Sequence, residues 1–409
     1  MLATTALGVA ACGGEDEPAG GGGGGGGEQQ ARTLTIYSSL PLQGAQRAQS
    51  TAIVNGIKLA LQETNNRAGN IQLRYQSLDD STAQAGNWTP EATSANARRV
   101  AQDENAGVYI GEFNSGATAI SLPLLNEAGV PQISPSNTYV GLTTNEPGSE
   151  EGEPESFYPA GTRTYARIVP RDTIQGAALA TVMQEDGCRT VAMANDREVY
   201  GAGLGRIIER TLREQGINLI FNQGIDPQAA NYRSLASRAR SQNADCFVFS
   251  GTTPNNAVQI FRDFAAALPQ ARLYGPDGVA ESSFIGKEGI PADVARRTKV
   301  TVATLDPDNY SPEGRQFFQR YAQTYNERNP DPYAIYGYEA GRLAIDAIQR
   351  SQTGEREAIV QALFNTRDRD SVLGTYSIDQ NGDTTLTDYG VWNIRNNELA
   401  FNRRVRAEG

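Results

Sequence analysis

Two successive runs of alternating strand and helix patterns constrain this chain more than any other feature. In the first run, residues 34–38 read as a short strand, and Pro41 and Gly44 mark a loop. Ile53, Ile57, Ala60 and Leu61 then recur at the spacing of one helical face. Residues 71–77 alternate as a strand, 98–105 end a helix, and 108–110 read as a buried strand. Residues 117–127 are helical in pattern despite Pro123, and 130–134 form the next strand. Such alternation predicts an α/β unit built on a parallel sheet.

The pattern stops between residues 143 and 162. Glu146, Glu150, Glu151, Glu153 and Glu155 stand there among prolines and glycines, which reads as a solvated acidic loop. Their spacing fits no standard calcium loop. A second run then predicts strands at 190–194, 218–222, 246–250 and 272–274. Helices at 204–215, 232–242 and 255–267 fall between and after them. Two late helical patterns, 312–328 and 334–349, precede a hairpin-like end at 389–394 and 398–401. A chain of 409 residues suits two such units. The expected architecture is α/β, with two doubly wound parallel-sheet lobes and a ligand cleft at the carboxyl ends of the strands.

Composition removes several classes of chemistry. The chain has no histidine, so no Ser-His-Asp or Cys-His nucleophile and no His-ligated metal site is available. Carboxylate-only hydrolysis remains open in principle. A net charge of −11 disfavours nucleic acid, whose phosphates need clustered Lys and Arg. The run Gly201-Ala202-Gly203-Leu204-Gly205 lacks the G-x-G-x-x-G spacing and is set off from its strand by several residues. No nucleotide cofactor is expected, and no metal. Cys188 and Cys246 each open a predicted strand. If those strands are the first and third of a doubly wound lobe, the two cysteines come within disulfide reach. The other reading is two small buried thiols.

At the N-terminus, Leu7-Gly8-Val9-Ala10-Ala11-Cys12, followed by Gly13 and Gly14, resembles a bacterial lipoprotein processing site. That resemblance implies cleavage before Cys12 and a lipid on its sulfur, although no basic segment precedes the short apolar stretch. The eight glycines Gly20 to Gly27 then make residues 13–31 a flexible tether. About 20 residues of such chain span roughly 25 Å r.m.s..

Four stretches carry a wider resemblance. They are Ile110-Gly111-Glu112-Phe113-Asn114-Ser115-Gly116, Ile133-Ser134-Pro135-Ser136-Asn137-Thr138, Tyr200-Gly201-Ala202-Gly203-Leu204 and Gly275-Pro276-Asp277-Gly278. In order and spacing the chain resembles the type I periplasmic binding proteins for leucine, isoleucine and valine, over roughly residues 33–401. The chemistry of an α-amino acid agrees with these residues. Ser115, where a strand gives way to a helix, offers a hydroxyl and free N–H groups to a carboxylate. Thr138 adds a hydroxyl and an N–H, and the Ser136 carbonyl can accept from an ammonium. By the resemblance, Tyr200 covers the ligand and Asp277 pairs with its ammonium. The family residue there is usually glutamate. Thr252 stands near a position often aromatic in the family, and Phe113 either lines the pocket or belongs to the core.

The resemblance further implies a lobe of residues 32–166 and 307–373, and a second of 167–306 and 374–409. Crossings are expected near Arg167, Asp306 and Gly374. It implies hinge closure on a small ligand, an aliphatic amino acid, and delivery to an ABC transporter permease. The protein would be a monomeric, extracytoplasmic binding module without enzymatic activity. The rivals are an amide, urea-like or small-acid ligand, a sensory module, or a hydrolase. A hydrolase would pair Asp277 with an opposed acid, for which only Glu112 and Asp196 lie near strand ends.

Overall fold

In the computed structural model, residues 32–406 are described. Cys12 and the glycine tether lie outside them. The first sheet holds β1 (Thr33–Leu40), β2 (Arg67–Ala68), β3 (Ile71–Asp79), β4 (Ala106–Gly111), β5 (Gln132–Ser134) and β6 (Tyr165–Arg167). Its order is β2-β3-β1-β4-β5-β6, parallel except for the antiparallel edge strand β2. The second sheet holds β7 (Thr190–Asn195), β8 (Asn218–Gly224), β9 (Cys246–Ser250), β10 (Arg272–Gly275), β11 (Thr298–Val302), β12 (Asp388–Arg395) and β13 (Glu398–Arg406). Its order is β13-β12-β11-β10-β9-β7-β8. The β8-β7-β9-β10-β11 part is parallel, and the last two strands add on antiparallel. Asn396 and Asn397 close that final hairpin, both at positive φ, as a two-residue primed turn needs.

Central strands such as β4 and β9 are buried along their whole length, so they read as continuous apolar runs instead of alternating ones. Helices cover both sheets. Arg47–Glu63 buries Ile53, Ile57, Ala60 and Leu61 and packs against the late helix Ala334–Ser351. β7 and β9 are neighbours, and Cys188 and Cys246 are joined as a disulfide with Cα atoms 5.8 Å apart.

Several elements depart from the sequence reading. The helix expected over 204–215 begins at Val199, because its glycines serve close packing and do not form a loop. A Cβ on Gly201 would stand 2.1 Å from Asp196 Oδ1, and one on Gly203 2.5 Å from the Tyr139 ring. Helix Asp172–Glu185 and strand β11 were not anticipated. The acidic segment 143–162 is not a free loop either. Glu146 accepts from Arg171 Nε at 2.7 Å and Nη2 at 2.8 Å, and Glu153 accepts from Tyr139 at 2.6 Å. Arg206, on the helix Val199–Glu214, donates to Gly148 O at 2.6 Å and pairs with Glu150 at 2.8 Å. The segment therefore ties the layer after β5 to the helix after β7.

Candidate functional site

The carboxyl ends of β4, β5, β7, β9 and β10 converge on one cavity enclosing about 410 Å³, including its open mouth. This is the position at which doubly wound sheets bind ligands. All seven ligand-site residues expected from sequence line it: Phe113, Ser115, Ser136, Thr138, Tyr200, Thr252 and Asp277. Trp88, Asn114, Gly116, Glu198 and Gly278 complete the lining and were not singled out in the sequence.

One wall is the start of helix Ser115–Glu127, directly behind β4. Asn114 occupies the cap position but makes no side-chain cap bond. The first intrahelical bond is Thr118 N to Asn114 O at 3.1 Å, so the N–H groups of Ser115, Gly116 and Ala117 have no helical acceptor. They and the helix dipole favour an anion. The loop after β5 braces this wall. Ser136 Oγ donates to Phe113 O at 3.0 Å, and Asn137 Nδ2 donates to Glu112 O at 3.0 Å and Phe113 O at 2.9 Å. Phe113 both lines the cavity and packs edge-on against Tyr333, with ring centroids 5.9 Å apart.

The opposite wall carries the acids. Asp277 is buried and accepts from Gln175 at 2.8 Å, from Tyr200 at 2.5 Å and from Tyr333 at 2.5 Å. Burial raises its carboxyl above the usual range, and these donors oppose the rise. Asp172 is fully buried, and burial together with the Asp277 charge pushes it well up, with only the nearby Thr138 hydroxyl opposing. Its backbone N–H donates to Thr138 O at 2.8 Å, which ties it to the site. Asp196 accepts from Glu198 N at 3.1 Å, Thr252 N at 3.0 Å and Asn255 Nδ2 at 2.9 Å. It thereby fixes both loops that present Glu198 and Thr252. Burial raises it to about 6. Glu112 lies behind the wall, buried against Tyr109 OH at 2.5 Å and beside the buried Asp80. Burial pushes it up to about 7.

Gln175 and Asp172, on the helix Asp172–Glu185, and Tyr333, just before the helix Ala334–Ser351, lie outside the four recognisable stretches, and no local pattern marks them. Asn114 and Gly116 sit inside one of those stretches and were within reach of the reading.

Two doubly wound sheets with a polar cavity at their facing strand ends define a ligand-binding protein of the type I periplasmic binding fold. A family model described as periplasmic binding protein matches residues 33–398, and the chain belongs to that family. It is 24% identical over 367 residues to the Leu/Ile/Val-binding protein BraC3 of Rhizobium johnstonii, covering 88% of this chain and 91% of that one. It is 22% identical to the leucine-, isoleucine-, valine-, threonine- and alanine-binding protein of Pseudomonas aeruginosa, covering 88% and 90%. Among solved structures, it resembles the leucine-binding protein LivK of Thermotoga maritima with a TM-score of 0.79 at 22% identity, covering 91% and 99%. A Rhodopseudomonas palustris solute-binding protein in complex with p-hydroxybenzoic acid gives 0.75 at 15% identity, covering 91% and 96%. Among the described residues, no helix is long and apolar enough to cross a membrane.

Proposed function

We propose that this chain captures a small α-amino acid between two lobes outside the cytoplasm and hands it to an ABC transporter permease. The observation that carries the reading is the pairing of an anion-favouring helix start at Ser115 with the buried carboxylate of Asp277 in one cavity. A zwitterion satisfies both: its carboxylate meets Ser115 and Thr138, and its ammonium meets Asp277 and the Ser136 carbonyl. Tyr200, Thr252 and Phe113 enclose the remainder. The ligand does no chemistry here; the protein's task is to bind, enclose and release.

The proposed lobes are residues 32–166 with 307–373, and 167–306 with 374–409. Contacts among the connecting segments support a common hinge. Arg167 N donates to Gly382 O at 2.9 Å, Tyr389 OH to Pro170 O at 2.8 Å, and Trp392 Nε1 to Thr304 O at 3.1 Å. Cys12 and the tether are proposed to hold the protein, as a monomer, at the outer membrane face.

A second reading has a specific basis. Trp88 and Phe113 flank the cavity, and an aromatic carboxylic acid would fit them and the helix start while leaving Asp277 without a cation. Calorimetric titration of refolded protein from Glu28 onward, against amino acids and benzoates, separates the two. Amino-acid binding weakened at least 30-fold in Asp277→Asn supports the first. Benzoate binding indifferent to that substitution supports the second.

A further inference from the structure

Among the described residues, the cavity's second acid has no cationic partner. Glu198 lines the cavity from the start of the helix Val199–Glu214, across from Gly116. The one side-chain donor that reaches it, the Asn255 amide, is shared with Asp196 Oδ2 at 2.9 Å and Thr252 Oγ1 at 3.1 Å. The neighbouring charge is Asp196, of the same sign. Asn114, 8% exposed and on the same cavity, leaves its Oδ1 without a hydrogen-bond partner. Among the described residues Glu198 meets no cation and shares its one amide donor, and Asn114 Oδ1 meets no donor at all, so both face the cavity as acceptors. A buried acceptor left empty is costly, so a site built this way favours an occupant that brings a donor.

The rest of the lining agrees. No leucine, isoleucine, valine or methionine borders the cavity, and no lysine or arginine does. Phe113 is the one wholly apolar side chain of the lining, and Trp88 adds an indole ring with a single N–H. An aliphatic ligand side chain would meet hydroxyls and carboxylates in place of methyl groups, and would strip their water without replacing it.

We infer that the ligand's side chain carries a hydrogen-bond donor, a hydroxyl, amide or amine, and that Glu198 with Asn114 selects for it. This refinement rests on the amino-acid reading above: Asp277 takes the α-ammonium, and Glu198 reads the side chain. Glu198 is thus a specificity-determining residue, and the aliphatic ligand implied by family resemblance is replaced by a polar one.

Near-isosteric pairs test it by calorimetry: threonine against valine, and asparagine against leucine. The donor-bearing member should bind at least tenfold more tightly to the unaltered protein. In Glu198→Ala that ratio should fall towards one, with far-ultraviolet circular dichroism unchanged. In Asp277→Asn both members should weaken together and the ratio persist. Valine binding as tightly as threonine, or a ratio that survives Glu198→Ala, overturns the inference while leaving the amino-acid reading intact. Failure of every α-amino acid to bind overturns both.

Discussion

Glu281 should make this protein less stable at pH 8 than at pH 5, and Glu281→Gln should remove that loss. The side chain is 2% exposed, and the hydroxyls of Thr253 and Ser283 are the donors nearest its carboxyl. No cation faces it; the nearest charge is Asp331, itself acidic. Burial pushes Glu281 from 4.5 up to about 8, with Thr253 and Ser283 opposing only in part. The native state therefore keeps a proton that the unfolded chain has already lost. The stability from that proton is fully present below the unfolded value of 4.5 and is lost as pH rises towards and through 8. At about 1.4 kcal/mol per pH unit, Glu281 alone removes about 3 kcal/mol between pH 5 and pH 8. With ~2.1 cal/mol/K per residue over the described body, that is roughly 4 °C in Tm. Glutamine is neutral and nearly isosteric, so the variant should match the parent at pH 5 and exceed it by that amount at pH 8. Urea unfolding and scanning calorimetry of ligand-free protein at both pH values measure the difference. A gap between variant and parent that is constant with pH, or wider at pH 5, refutes the reasoning.

Three further outcomes follow from contacts already described. Gly116→Ala places a Cβ 2.9 Å from the Trp88 ring and 3.2 Å from Glu198 Oε2, so ligand affinity should drop about tenfold by calorimetry with Tm unchanged. Replacing Cys188 and Cys246 together by serine opens a loop of sequence separation 58. Chain entropy assigns that crosslink about 4 kcal/mol, and a loss below about 1 kcal/mol in urea would contradict it. Arg206→Ala removes the bridge to Gly148 and Glu150, a half-exposed contact worth at most about 1 kcal/mol. Affinity should change no more than about fivefold, and less so in high salt.

The strand skeleton was legible because its runs are buried on both faces. The span 246–250 read from sequence is the observed β9, and Cys188 and Cys246 followed from strand order once β7 and β9 were taken as neighbours. What escaped was where tertiary contact overrides local preference. Gly201, Gly203 and Gly205 disfavour a helix by propensity, yet helix Val199–Glu214 starts before them because Asp196, Tyr139 and Asn222 press against their bare Cα atoms. The acidic segment reads as solvated because its partners, Arg171 and Arg206, lie 25 or more residues further on. In the site, residues at strand ends were recoverable, since topology alone sends them to the cleft. Gln175 and Tyr333 were not, since they reach Asp277 only through packing between layers that no local pattern encodes.

The charges around the cleft balance in a way that bears on what it holds. Arg167 is fully buried, but it is already matched: Asp383 lies 2.6 Å from its Nε, and Tyr139 O accepts at 2.7 Å and Asn137 O at 3.2 Å. That pair offers a ligand neither sign. Asp172 and Asp277 are both buried carboxyls; the Asp277 charge raises Asp172, and the donors around the two differ. Asp277 has three donors that favour its ionised form; burial and the Asp277 charge favour the neutral form of Asp172, with only the Thr138 hydroxyl opposing. With Asp172 neutral, one negative charge stands at that end of the cavity, against one anion-favouring helix start at the other. A single α-ammonium neutralises it. A dication would leave one charge over unless Glu198 took it, and a simple acid would leave Asp277 unmatched in the closed cleft, which is why Asp277→Asn and Glu198→Ala must be read together.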